Sequence, residues 1–156
     1  MTADTVVVGL GNRFRRDDAV GILAAEAIGE LTLPGVRVIT DICDPMSLLE
    51  AWSGARRAVL IDAAVTAATR PGRVRCCAVT DVAAAGGLSS HAVDVAGTYA
   101  LGMALGRVPD SVVAVTVEVA DTGHGTELTP AVAGAVPLMV NLAVREINRR
   151  SSATQR

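Results

Sequence analysis

Thr5-Val6-Val7-Val8-Gly9-Leu10-Gly11-Asn12 is the stretch that decides the fold. Residues 5–10 are β-branched or apolar at successive positions instead of alternating, so both faces of the strand they form must be covered. That composition belongs to an inner strand of a parallel sheet. Gly9 and Gly11 close the run and permit a tight strand-to-loop turn in which the backbone can approach a ligand. The pair also supplies two glycines of a dinucleotide fingerprint, but Phe14 occupies the place of the third, which speaks against a nucleotide site.

Outward from this strand, the chain alternates between strand and helix signals. Residues 12–16 form a polar turn, and Asp17 and Asp18 open a helix with an apolar face at Val20, Leu23, Ala24, Ala27 and Leu31. Pro34-Gly35 ends that unit. Residues 36–41 read as a second strand, and residues 45–52 as a helix with Pro45 in its first turn. Residues 58–61 are apolar throughout and terminate in Asp62, as an inner strand would. A loop runs to Pro71-Gly72, and residues 73–79 make a fourth strand that puts Cys76 and Cys77 on opposite faces. Ser89-Ser90 precedes a helix over residues 91–106, and residues 111–119 form the fifth strand. After a loop at 121–127, Thr129 caps a final helix that begins with Pro130, is kinked by Pro137 and carries Val136, Val140, Val144 and Ile147 as its apolar stripe. The pattern predicts one α/β domain over residues 1–150: a three-layer α/β/α sandwich around a mostly parallel, twisted, five-stranded sheet, phosphorylase/hydrolase-like in its architecture. The polar residues 151–156 are expected to be disordered.

Composition narrows the function classes. With 14 basic against 16 acidic residues, and Phe14, Trp52 and Tyr99 as the only aromatics, neither a basic field nor stacking platforms exist for nucleic acid. The apolar residues are mainly Ala and Val spread along the whole chain, no run approaches a membrane span, and no basic region precedes an apolar leader. A cytoplasmic location follows as the expectation. Cys43, Cys76 and Cys77 are odd in number and two are adjacent, which suits neither a disulfide framework nor a structural zinc site; reduced, buried thiols are expected.

In an open parallel sheet, ligands bind beyond the carboxyl ends of the strands. Gathered there are Gly9-Leu10-Gly11-Asn12 with Asp17-Asp18, Asp41 after the second strand, Asp62 after the third and His91 after the fourth. Two carboxylates and an imidazole make a three-ligand set for a divalent metal with a position left open for water or substrate. Each residue also has a plainer role open to it. Asp17 or Asp18 fits as a helix cap, Asp62 as a turn cap, and His91 as a surface residue of a helix's first turn. His124 and Glu127 are explained by loop polarity.

The spacing Gly9-Leu10-Gly11-Asn12, four residues, Asp17-Asp18, then Gly21 resembles the signature of hydrogenase maturation endopeptidases. Leu60-Ile61-Asp62, Ser89-Ser90-His91 and Glu127-Leu128-Thr129-Pro130 resemble further parts of the same family, over nearly the whole chain. The resemblance implies an endopeptidase that removes the C-terminal extension of a nickel-iron hydrogenase large-subunit precursor once nickel is inserted. It implies Asp18, Asp62 and His91 as the catalytic and metal-recognising set, and Gly11, Asn12 and Asp41 as substrate-binding residues. It further implies a divalent metal, the substrate's nickel in the working complex with zinc or cadmium as surrogates, and a monomer with no membrane or nucleic-acid partner. The family's D-G-G-T stretch is replaced here by Asp41-Ile42-Cys43-Asp44-Pro45, and position 18 is Asp where some relatives have Glu. Gly9-Leu10-Gly11-Asn12 also resembles the opening of peptidyl-tRNA hydrolases, but their His-Asn continuation is absent. A non-catalytic module gripping the same precursor is the other alternative.

Overall fold

The computed structural model describes residues 4–65, 70–80 and 94–149. In chain order they form β1 (Thr5–Gly9), a 3-10 turn (Arg16–Ala19), α1 (Val20–Glu30), β2 (Val36–Ile39), α2 (Pro45–Trp52), β3 (Arg57–Ala64), β4 (Val74–Ala78), α3 (Val95–Leu105), β5 (Ser111–Glu118) and α4 (Pro130–Asn148). The sheet order is β2-β1-β3-β5-β4. The first four of these strands are mutually parallel, while β4 runs antiparallel to β5 at the edge. This is the mostly parallel five-stranded sheet expected from the sequence.

Alternation along the strands divides the core into two layers. Val6, Val8, Ala58, Leu60, Val112 and Ala114 face Leu48, Leu49 and Trp52 of α2 and Val95 of α3. Val7, Val59, Ile61, Val115 and Val117 face α1 and α4. Cys77 packs on the first layer and Cys76 on the second, so the two thiols do point to opposite faces. Burial pushes the Cys76 thiol up to about 11, aided by the nearby Glu146 charge. The expectation of buried thiols fails: Cys43 is exposed, and Cys76 and Cys77 are only half-buried.

Several boundaries and faces differ from the sequence reading. β2 stops at Ile39 because its partner turns away: Leu10 N–H donates to Ile61 O of β3, leaving residues after Ile39 without a paired neighbour. β3 does not end at Ile61; it continues to Ala64, held by β5 through the pairs Asp62–Thr116, Ala63–Val117 and Ala64–Glu118. On α1, Leu31 is exposed and Leu23 only half-buried, while Gly21, Ala24, Ala25 and Ile28 are buried. Small residues decide this face. A Cβ on Gly21 would sit 2.2 Å from Ile61 O, so the helix lies directly on the strand backbone. On α4 the buried stripe is Val132, Ala135, Met139 and Ala143, one residue away from the expected one, whose members are half-buried. α4 runs unbroken through Pro137. By length and composition alone its 19 residues are long and apolar enough to cross a membrane, contrary to the expectation that no run approaches a span. Here the helix packs on α1, β3 and β5. The cap of α3 is Asp94, whose side chain accepts from Gly97 N–H, and not Ser89-Ser90, which lie outside the described residues together with His91 and residues 151–156.

Candidate active site at the carboxyl edge of the sheet

The loop after β1 is shaped by short-range bonds. Asn12 Oδ1 accepts from Phe14 N–H at 2.9 Å, Arg15 N–H donates to Asn12 O, and Asp18 N–H donates to Arg15 O. Gly11 has φ +128, and a Cβ there would lie 1.9 Å from the Asp18 carbonyl oxygen, so only glycine fits. This contact lets the loop double back. Asn12 N–H then donates to Asp18 Oδ2 at 3.0 Å, and Asp18 is buried beside it.

The same loop is strapped to the segment between β5 and α4. Arg16 N–H donates to Gly125 O, Gly125 N–H to Phe14 O, and Asp17 N–H to Asp121 O. Arg15 Nε reaches Thr122 O at 3.2 Å and Arg16 Nε reaches His124 O at 3.1 Å. His124 itself is exposed and enters through its backbone, in keeping with a loop role. Asp17 closes the strap. Its Oδ2 accepts from Ala120 N–H and Asp121 N–H, both at 3.0 Å, and its Oδ1 from Thr129 N–H at 2.7 Å, with the Thr129 hydroxyl bridging both oxygens. Burial alone would raise the Asp17 carboxyl. The bonds from Thr129, Asp121 and Ala120 outweigh it and hold the group below the usual carboxylate range. Asp17 is therefore no cap of its own helix, and Thr129 spends its hydroxyl on Asp17 instead of on the helix it precedes. Because β3 lies between β1 and β5, the two strapped loops meet across its end.

Asp62 sits under that crossing. It lies within β3 opposite Thr116, not after the strand, and on the face shared by Ala58 and Leu60. The side chain is 0% exposed. Oδ1 accepts from Ala63 N–H at 2.8 Å, while Oδ2 is buried with no hydrogen-bond partner among the described residues. Burial pushes this carboxyl well above the usual range, the Ala63 N–H opposes the shift, and the Asp18 charge adds to it. The two carboxyl groups are thus within electrostatic reach of each other. Glu118 shares their side of the sheet: it follows Thr116 by two positions on β5, pairs with Ala64 and is buried. The sequence reading passed over it, although a lone acid in an apolar strand is the same signal that marked Asp62.

The remaining expected residues divide. Gly11 and Asn12 are at the site through their backbone contacts with Asp18. Asp41 is exposed beyond β2, where its charge acts on Arg13, which is paired with Glu26. His91 lies outside the described residues, among which no group of three or more His, Cys, Asp or Glu side chains is placed to hold a metal. Asp62 Oδ2, buried with no hydrogen-bond partner among the described residues and within electrostatic reach of the Asp18 carboxylate, is a hard oxygen donor of the kind that suits a cation.

Fold and site define an α/β domain with an acidic centre at the carboxyl edge of a mostly parallel sheet. The family model described as hydrogenase maturation protease matches residues 24–146, a span that includes Asp62 and His91 and begins after the Gly11–Asp18 loop. The chain belongs to the hydrogenase maturation protease family, and with it to the peptidases. Its fold is shared with the hydrogenase maturating endopeptidase HybD of E. coli, with a TM-score of 0.79 at 21% identity over 92% of this chain and 93% of that one. The [NiFe] hydrogenase maturation protease HybD of Thermococcus kodakarensis gives 0.76 at 24% identity over 91% and 97%. The [NiFe] hydrogenase maturation protease HycI of Thermococcus kodakarensis KOD1 gives 0.68 at 20% identity over 94% of both chains. No curated protein sequence matches the chain.

Proposed function

We propose that this protein is the endopeptidase that removes the C-terminal extension of a nickel-iron hydrogenase large-subunit precursor after nickel insertion, and that it recognises the inserted metal. The observation that carries this reading is the buried Oδ2 of Asp62, which has no hydrogen-bond partner among the described residues and feels the Asp18 charge. Leaving a buried carboxylate oxygen unsatisfied costs several kcal/mol, of order, unless a cation arrives to pair with it. His91 is the proposed third ligand. It stands three residues before Asp94, the cap of α3, and α3 leads through residues 106–110 into the start of β5, so Asp94 is at the end of α3 remote from the start of β5.

In this reading the precursor's nickel is part of the substrate, and zinc or cadmium would stand in for it on the isolated protein. Asp18 and Asp62 grip the ion from one side. Gly11 and Asn12 present the backbone along which the scissile segment lies, and exposed Asp41 contacts the precursor at the rim. A bound divalent ion supplies polarisation of the scissile carbonyl or a lowered pKa for an attacking water. The neighbouring carboxylates supply the alternative, accepting the proton of the water directly. Selectivity for loaded precursor then follows from an incomplete ligand set that is finished only by the substrate. The protein acts in the cytoplasm as a monomer of one domain over residues 1–150, with the precursor as its transient partner.

Mass spectrometry of a nickel-loaded precursor, before and after incubation, tests the reading. Wild-type protein is expected to release a C-terminal peptide, and Asp18→Ala and His91→Ala to release none. Equal processing by both variants sinks the assignment, and intact precursor with wild-type protein favours a gripping module that does not cut.

A further inference from the structure

Resting on the proposed function, we infer that Asp17 is a positioning residue for Asp18: its carboxylate fastens the loop of residues 11–18 to the loop between β5 and α4, and this fastening aims the Asp18 side chain toward Asp62. Asp17 is fully buried, and every donor it accepts from lies more than a hundred residues away in sequence: Ala120 N–H, Asp121 N–H, Thr129 N–H and the Thr129 hydroxyl. None belongs to its own turn. The bonds therefore do not stabilise the helix start that a paired Asp-Asp would ordinarily serve; they tie two loops that cross over β3.

Asp18 follows Asp17 directly, so the strap sets where its backbone stands. The Gly11 contact and the Asn12 bond to Asp18 Oδ2 complete the aim from the other side. Arg16 contributes as well. It adopts φ 46, a conformation L residues seldom take, while its N–H donates to Gly125 O and its guanidinium reaches His124 O and Asp121. A turn held in this form needs tertiary bonds to keep it, and Asp17 supplies the most buried of them.

Both oxygens of Asp17 accept only from N–H and O–H groups, so a carboxylate is required. In Asp17→Asn the amide NH2 must face either the Ala120 and Asp121 N–H pair or the Thr129 N–H, donor against donor. Two readouts test the inference. The first is hydrogen exchange at the Asn12 amide, which reports the Asp18 bond without any need for activity. Asp17→Asn is expected to lower its protection about tenfold or more beyond the fall shared with the inner-strand amides of Val7 and Leu60, which report the global stability. The second is processing of nickel-loaded precursor, in which kcat is expected to fall about a hundredfold with KM nearly unchanged, the signature of misplaced reacting groups. Thr129→Val, which keeps the backbone bonds and loses the hydroxyl, is expected to show a smaller loss in both, and Thr129→Ser to restore them. Asn12 protection in Asp17→Asn that falls no further than that of Val7 and Leu60, or lowered stability with an unchanged kcat per folded molecule, overturns the positioning role. A wild-type protein that cuts nothing, combined with this added loss of Asn12 protection in Asp17→Asn, defeats the protease reading and supports the strap.

Discussion

Asp17 and Asp62 are both 0% exposed and lie at the same edge of the sheet, yet they are treated in opposite ways. Asp17 accepts from three backbone N–H groups and a hydroxyl drawn from a distant loop, and its carboxyl is held below the usual range. Asp62 accepts from the N–H of its own neighbour, has one oxygen without a hydrogen-bond partner among the described residues, and is pushed well above that range by burial. Taking an ionised carboxylate out of water costs several kcal/mol, of order, and charge-assisted hydrogen bonds at the level Asp17 receives offset it. Nothing of that kind offsets Asp62 among the described residues. On the proposed function, the first acid serves the structure and the second is kept for a ligand.

The strongest way to break this contrast is Asp62→Asn. It is expected to abolish precursor processing while leaving the melting temperature unchanged or higher, because an amide is cheaper to bury than a carboxylate without a partner. A protein that melts well below wild type would show that Asp62 has structural partners and that the contrast is false. Next in size is Asp17→Asn, expected to destabilise the fold by about 2–4 kcal/mol through donors left unsatisfied. At roughly 2–4 °C per kcal/mol for a chain of this length, a drop of about 10 °C in calorimetry is the central expectation.

Acid titration sharpens the contrast further, and its sign differs for the two groups. The folded pKa of Asp17 is depressed, so its contribution is fully present above the unfolded value near 3.8 and is lost as pH falls through the lower folded value. Asp17→Asn should therefore flatten the stability profile only at the acid end, below the ordinary carboxylate range. Asp62 is raised, so the folded state binds more protons there and stability declines as pH climbs above its unfolded value. Denaturation by urea at a series of pH values checks both slopes.

The strands that frame the site could be read from sequence because their apolar runs are continuous: β1 and the first half of β3 are inner strands by composition alone. The loop carrying Asp18 was readable from its glycines for a related reason, since the backbone contact at Gly11 tolerates no side chain. What escaped was decided by partners distant in sequence. The extension of β3 past Asp62 depends on β5 supplying Thr116 and Glu118, and the Ala63-Ala64 step gives no local sign of strand. The buried face of α1 turns on Gly21, Ala24 and Ala25, whose small side chains permit close approach but contribute little to a hydrophobic pattern. Asp17 looked like a helix cap because its donors are more than a hundred residues away.

The antiparallel course of β4 has a trace in the sequence. Only residues 65–73 separate it from β3, too few for the crossover of about a dozen or more that parallel strands require. With β4 reversed, its carboxyl end leaves from the opposite edge, so following a strand does not by itself put His91 at the carboxyl edge; its short sequence distance from Asp94, the cap of α3, carries that proposal instead.

The central claim is that the buried Oδ2 of Asp62, unbonded among the described residues, waits for a cation shared with Asp18 and His91, and soaking crystals of the protein with cadmium tests it most directly. The account predicts anomalous density for a single ion bound to Asp62 Oδ2, Asp18 and His91, and no such ion in Asp62→Asn crystals. Cadmium bound only at Cys43 or other surface groups, with Asp62 still buried and unbonded, would contradict it.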